Sequence, residues 1–330
     1  MSNEKLIALP GGRTLAYEDG GVATSSTVVI FFSGTLSVGS ASRLPIVLES
    51  MGAHYIAPTL PGYGNTSPPA KGVSYASTIQ SDTSALINHL HPDTTGINLY
   101  IGGGSFGTVP AQMLYGAPFD KFPAGRHLKG LVLFGAFPPF RDDKEKGFEY
   151  TKYMTWPNYF AVGPPSRFIP FRLLNLVTKL FISSKTSTQE SAEAFIRGFL
   201  FDKMADKEKD MYKAWRERKG YEVGQLEREM AQMNRRSVEK SWEGFMSTAE
   251  VLHSDWEWGV KDIHDLDEEH TAGRKVLVIA GRDDDMTPGE WGKYLVSKYA
   301  NARMSWLEGG HISAIFSMDD IWAEFMEYAG

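Results

Sequence analysis

Runs of apolar, β-branched residues recur along the chain, each closed by turn residues. TVVIFF ends at Phe32, YIAPTL at Leu60, INLYIG at Gly102, GLVLFG at Gly135, KVLVIAG at Gly281 and RMSWLEGG at Gly310. Several are apolar nearly throughout rather than alternating, the pattern of parallel strands buried on both faces. Helical patterns lie between them, around residues 40–51, 76–90, 106–117 and 317–328. This alternation predicts an α/β fold with a mostly parallel, doubly wound sheet. The opening stretch KLIALPGGRTLAYED predicts instead a hairpin about PGG, antiparallel at the sheet edge.

The rhythm breaks between Phe137 and Asp255, where no clear buried strand occurs. Helical stripes replace it. Ser187 and Glu190 have the S-x-x-E spacing of a capping box. Ala192, Phe195, Ile196 and Phe199 follow at i, i+3, i+4, i+7 spacing, and Trp242, Phe245, Met246 and Ala249 repeat it. The chain therefore divides into a core, residues 1–136 and 256–330, and an inserted α-helical cap, residues 137–255. Aromatics of the insert, among them Phe160, Phe171, Phe181, Phe195, Phe199 and Trp215, are expected mostly to pack its own core. A few would line a pocket for an apolar substrate. The charged stretch DKMADKEKDMYKAWRERKG mixes signs and predicts a solvated helix face.

Composition narrows the possibilities. The 330 residues exceed what one small core needs. With 42% hydrophobic and 22% charged residues, the chain is of ordinary globular type. A formal net charge of −6 provides no overall basic field for nucleic acid or an anionic membrane. The absence of cysteine excludes disulfides, thiol catalysis and thiolate metal sites. The N-terminal MSNEKLIALP is cut by Pro10 and Gly11 and lacks a secretory h-region. The longest apolar runs are about six residues, against roughly 20 needed to span a bilayer. No membrane span is expected, and the default location is cytoplasmic.

The candidate chemistry begins at YIGGGSFGTVPAQ, residues 100–112, which fits two templates. Gly102, Gly104 and Gly107 spell the G-x-G-x-x-G of a dinucleotide cradle. Gly103, Ser105 and Gly107 spell the G-x-S-x-G of a nucleophile elbow. A dinucleotide site also needs a carboxylate about 20 residues on, at the end of the next strand. GLVLFG instead runs into Gly135, Ala136 and Phe137. A nucleophilic serine needs a base and an orienting acid on later strand ends. KVLVIAGRDDDMTP puts an acidic cluster just past a strand, and WLEGGHISAI puts His311 just past the last one.

In these motifs the chain resembles the α/β-hydrolases of the capped esterase, lactonase and epoxide-hydrolase branch. The resemblance covers nearly all of the core, about two-thirds of the chain. It rests on LPGYGNTS (60–67), GGSFG at the elbow, GRDDDMTP (281–288) and the GGH ending at His311, in that order. It implies Ser105 as nucleophile, His311 as general base and Asp284 as the acid that orients the base. Asp283 and Asp285 are the adjacent alternatives. Oxyanion donors are expected from the Phe106 N–H and from the loop after the first parallel strand, Thr35 first and Leu36 second. That loop reads Ser33-Gly34 where the family usually has His-Gly. The other seven histidines, including His54, His91 and His253, are expected at the surface or in loops. No metal or cofactor is implied, since the triple Asp lacks the Gly and Glu of a calcium loop.

A serine at the elbow disfavours epoxide hydrolases and haloalkane dehalogenases, whose displacement at carbon uses a carboxylate there. The His-Gly-Gly-Pro-Gly loop of proline iminopeptidases is absent. The expected activity is hydrolysis of an ester, thioester or lactone of a small, largely apolar substrate. A carbon–carbon bond hydrolase, an amidase or aminopeptidase, and a lyase using the same triad remain alternatives. So does a low-turnover ligand receptor of the same shape. Oligomeric state is left open.

Overall fold

The computed structural model describes residues 3–140, 148–168 and 173–330. Eight strands form one sheet among the described residues: β1 (Lys5–Leu9), β2 (Arg13–Gly21), β3 (Thr27–Phe32), β4 (His54–Pro58), β5 (Asn98–Gly104), β6 (Leu128–Phe134), β7 (Lys275–Gly281) and β8 (Ala302–Leu307). Their order is β1-β2-β4-β3-β5-β6-β7-β8. The N-terminal hairpin pairs antiparallel at one edge, and the six strands β3 through β8 run parallel.

The unbroken apolar runs follow from burial on both faces. Val28, Ile30 and Phe32 of β3 point into one core, whereas Val29 points into the other. Leu131 and Leu133 of β6 oppose Val132 and Phe134 in the same way, as do Val276 and Val278 against Leu277 and Ile279 in β7. Helices Tyr75–Leu90, Thr108–Tyr115 and Gly289–Lys298 cover the first face, through Ile79, Leu86, Val109, Met113, Trp291 and Leu295. Helices Ile46–Ser50 and Met318–Ala329 cover the second through Leu48, Trp322 and Phe325. The helix expected over 40–51 starts only at Ile46, because extended Pro45 is its N-cap.

Between β6 and β7 the described residues are helical: Trp156–Ala161, Pro165–Phe168, Leu173–Lys185, Gln189–Ile196, Asp206–Lys219, Gln225–Val238 and Glu243–Leu252. Their own core holds Ala192, Ile196, Phe201, Trp215 and Leu226, and it extends to Ile312 and Phe316 beside β8.

Four expectations for this segment and the histidines change. The cap of Gln189–Ile196 is Thr188, reciprocated by Ser191, one residue later than the Ser187–Glu190 spacing predicts. The charged helix Asp206–Lys219 is not wholly solvated, since Glu208 and Trp215 are buried. Phe160, Phe181 and Phe199 are exposed rather than packed, and Phe171 lies outside the described residues. His54, His91 and His253 are buried rather than superficial, each held by a hydrogen bond.

Candidate active site

Three strand ends at the carboxyl edge of the sheet bring the predicted residues together. Ser105 follows β5 directly, at the junction with a short 3-10 turn that leads into helix Thr108–Tyr115. Its backbone is left-handed, φ 52°, a conformation that strains any residue bearing a Cβ. The turn is tight enough that a Cβ on Gly103 would stand 2.2 Å from the Gly107 carbonyl oxygen. The strain is held from behind. Thr108 Oγ1 donates to the Ser105 carbonyl at 2.7 Å. Gln112 Nε2 donates to the carbonyls of Thr108 and Phe137, and its Oε1 accepts from the Tyr299 hydroxyl.

Ser105 Oγ stands 2.9 Å from His311 Nε2, and His311 Nδ1 stands 2.8 Å from Asp284 Oδ2. With the imidazole proton on Nδ1, donated to the carboxylate, Nε2 is the acceptor for the serine hydroxyl. The Asp284 side chain is 2% exposed and that of His311 15%. Asp284 Oδ1 accepts from the N–H groups of Met286 and Thr287, at 2.9 and 3.0 Å. Thr287 Oγ1 donates to Oδ2 at 2.6 Å and lies 3.3 Å from His311 Nδ1. Every lone-pair direction of the buried carboxylate is thus engaged.

The electrostatics follow. Burial penalises the Asp284 charge, yet the His311 charge and hydrogen bond, with those from Thr287, hold its pKa below the ordinary value. Burial likewise opposes the imidazolium of His311. The Asp284 charge and hydrogen bond, and the nearby charge of Asp285, outweigh that burial and raise its pKa. Neither Asp283 nor Asp285 bonds His311 through its side chain, whereas the Asp285 carbonyl accepts from Asn158 Nδ2 at 3.0 Å.

The loop after β3 lies against the serine, so that a Cβ on Gly34 would stand 3.1 Å from Ser105 Cβ. Thr35 and Leu36 are the candidate donors on this loop. Leu36 has φ 55°. Phe106, the candidate at the elbow, follows Ser105 within the 3-10 turn.

Helices from the insert meet the loops around this edge. Gly244 N donates to the Gly62 carbonyl, and Gly64 N donates to the Ser237 carbonyl. Glu208 accepts from the Gly310 N–H, next to His311 in sequence. Burial and the charges of Asp283 and Asp284 push its carboxyl pKa up against that hydrogen bond.

No protein-family model matches the chain, and no curated protein matches it in sequence. Solved structures do match in shape. An esterase from Exiguobacterium antarcticum superposes at TM-score 0.60 with 17% identity, covering 98% of this chain and 98% of that one. A bromoperoxidase from Bacillus anthracis gives TM-score 0.60 and 16% identity over 98% and 99% of the two chains. A thermophilic esterase from Thermogutta terrifontis gives 0.56 and 18% over 99% and 98%. The chain has the α/β-hydrolase fold.

In this α/β-hydrolase fold the sequence motifs locate Ser105, Asp284, His311 and Phe106, but several supporting groups went unpredicted. Thr287 is visible only as the Thr before Pro288. Gln112 carries a signal only as a polar residue inside an apolar helix. Glu208 has none, because a mixed-charge helix conceals which carboxylate is buried. Among the described residues, no group of His, Asp and Glu is arranged to hold a metal ion.

Proposed function

We propose that the chain is a serine hydrolase acting on a carboxylic ester, thioester or lactone of a small, largely apolar substrate. The observation that carries this reading is the unbroken hydrogen-bonded series from Ser105 Oγ through His311 to Asp284. Esterases among the structural neighbours support it.

In this reading each step falls to a named group. His311 Nε2 takes the Ser105 proton as Oγ attacks the acyl carbon. Asp284 orients the ring and stabilises the imidazolium. The carbonyl oxygen becomes an anion, which the N–H groups of Phe106 and Thr35 would meet. Leu36 is the second candidate for the loop donor. Collapse expels the alkoxide or thiolate, which receives the proton from His311 and leaves an acyl-enzyme on Ser105. Water, deprotonated by the same Nε2, then releases the acid and restores the serine. The helices of residues 137–255 act as a cap over the site.

A fluorophosphonate probe tests this reading. The protein should be labelled at Ser105, located by peptide mass, and Ser105→Ala should abolish labelling. Equal labelling of the Ser105→Ala variant would overturn the assignment.

A further inference from the structure

The net charge of −6 conceals a segregation. Residues 150–189 contain Lys152, Arg167, Arg172, Lys179 and Lys185 and no Asp or Glu. With −6 overall and +5 here, the rest of the chain carries −11. This basic stretch includes helix Leu173–Lys185, which presents a bare apolar stripe. Leu173, Leu176, Val177, Leu180 and Phe181 fall at i, i+3, i+4, i+7, i+8, and they are 50, 39, 58, 60 and 56% exposed. The stripe continues through Phe181 against Phe195 and Phe195 stacked on Phe199, which is again exposed.

Single exposed apolar residues are ordinary, but a contiguous band of this kind marks an interaction surface. Cations stand beside it. Lys185 Nζ lies 5.9 Å from the Phe181 ring centre and Lys203 Nζ 5.0 Å from that of Phe199. Neither pairs with a carboxylate among the described residues. An apolar stripe edged by unpaired lysines suits a helix lying in the plane of a bilayer interface. There the side chains enter the acyl boundary and the ammonium groups meet lipid phosphates and carboxylates. A two-fold contact with a second copy would instead set the same cations against one another.

We propose that the face built from Leu173–Lys185 and the Phe195–Phe199 pair docks the protein onto an anionic lipid surface. This inference does not rest on the hydrolase assignment, since its readout is binding.

The test is co-sedimentation of the Ser105→Ala protein with two kinds of vesicle, phosphatidylcholine alone and phosphatidylcholine mixed with phosphatidylserine. Ser105→Ala keeps any lipid cleavage out of the measurement. Binding should be strong only with phosphatidylserine and should weaken as salt is raised. Lys185→Ala and Lys203→Ala should each weaken it about five-fold, from about 1 kcal/mol per cation at such a surface. Val177→Asp with Leu180→Asp should abolish it while leaving the melting temperature unchanged. In the Ser105 background, that pair should also leave turnover of a short soluble ester unchanged. Equal sedimentation with both vesicle types, or full binding by the double variant, would overturn the proposal. So would a failure to bind accompanied by a dimer in analytical ultracentrifugation that Leu180→Asp dissolves, which would give the face to a second copy.

Discussion

Replacing Asp284 by Asn should disable the site through one proton. Asp284 Oδ1 is fixed by two backbone donors, Met286 N and Thr287 N. In the variant those donors select the amide oxygen for the same position, so the NH2 group must occupy the place of Oδ2. That place faces His311 Nδ1 at 2.8 Å. A donor there forces Nδ1 to accept, and the neutral ring then carries its proton on Nε2, toward Ser105. The base has become a donor, and the imidazolium has lost its counter-charge. A tautomer switch of this kind costs about 10⁴ in kcat, or about 5 kcal/mol in the barrier. The assay is turnover of p-nitrophenyl acetate by Asp284→Asn beside Asp283→Asn and Asp285→Asn. The flanking variants should stay within about ten-fold of wild type, since neither side chain bonds the ring. The fold should persist, because both Oδ1 bonds survive. Asp284→Asn activity within ten-fold of wild type, or an equal loss in Asp285→Asn, would refute the reasoning.

Three further outcomes follow from the same structure. The base proposed at His311 works only when neutral and its pKa is raised, so kcat/KM should climb with pH through a midpoint above 6.5. Asp285→Asn should lower that midpoint, and a wild-type midpoint at or below 6.5 would contradict the assignment. Burial lowers the pKa of both His54 and His91, whose rings bond at 2.7 Å. The unfolded chain therefore binds more protons, and the pair's contribution is complete above pH 6.5 and lost as pH falls below it. The urea midpoint should drop in that window, and less so in His91→Gln; a flat profile argues against the pair. Gly103→Ala should cost about 1–3 kcal/mol, since its methyl meets rigid backbone; an unchanged melting temperature would show that the elbow can yield.

The fold was legible because burial writes period and length into sequence. β3, β5, β6 and β7 are continuous apolar runs because alternate residues feed two cores, and the PGG hairpin has its turn chemistry in view. Ser105 and His311 were legible because each sits in a glycine-rich turn at a strand end. What stayed hidden depends on partners remote in the chain. Glu208 meets Gly310 only after the insert folds down, and His54 meets His91 only when β4 and the end of helix Tyr75–Leu90 converge. Asp284 was legible from its place between Gly281 and Pro288, and of the three adjacent aspartates it is the one whose side chain bonds His311. Phe181 and Phe199 misled because helical spacing reports a stripe but not what covers it.

The contacts of the proposed triad differ greatly in span. Asp284 and His311 are 27 residues apart, whereas Ser105 and His311 are separated by 206, across the whole helical insert. Asp284 and His311 follow the neighbouring strands β7 and β8 and can find each other early. Ser105, just past β5, cannot meet His311 until β6, the insert, β7 and the edge strand β8 have all been laid down in register. Contacts of such separation carry the largest loop-closure cost and form late. On the proposed function, a partly folded chain therefore holds an unactivated alcohol at the strained turn, and its chemistry switches on only with the final docking. Recovery of serine reactivity during refolding is thus a clock for the last step of assembly and should lag behind the burial of tryptophan in the core.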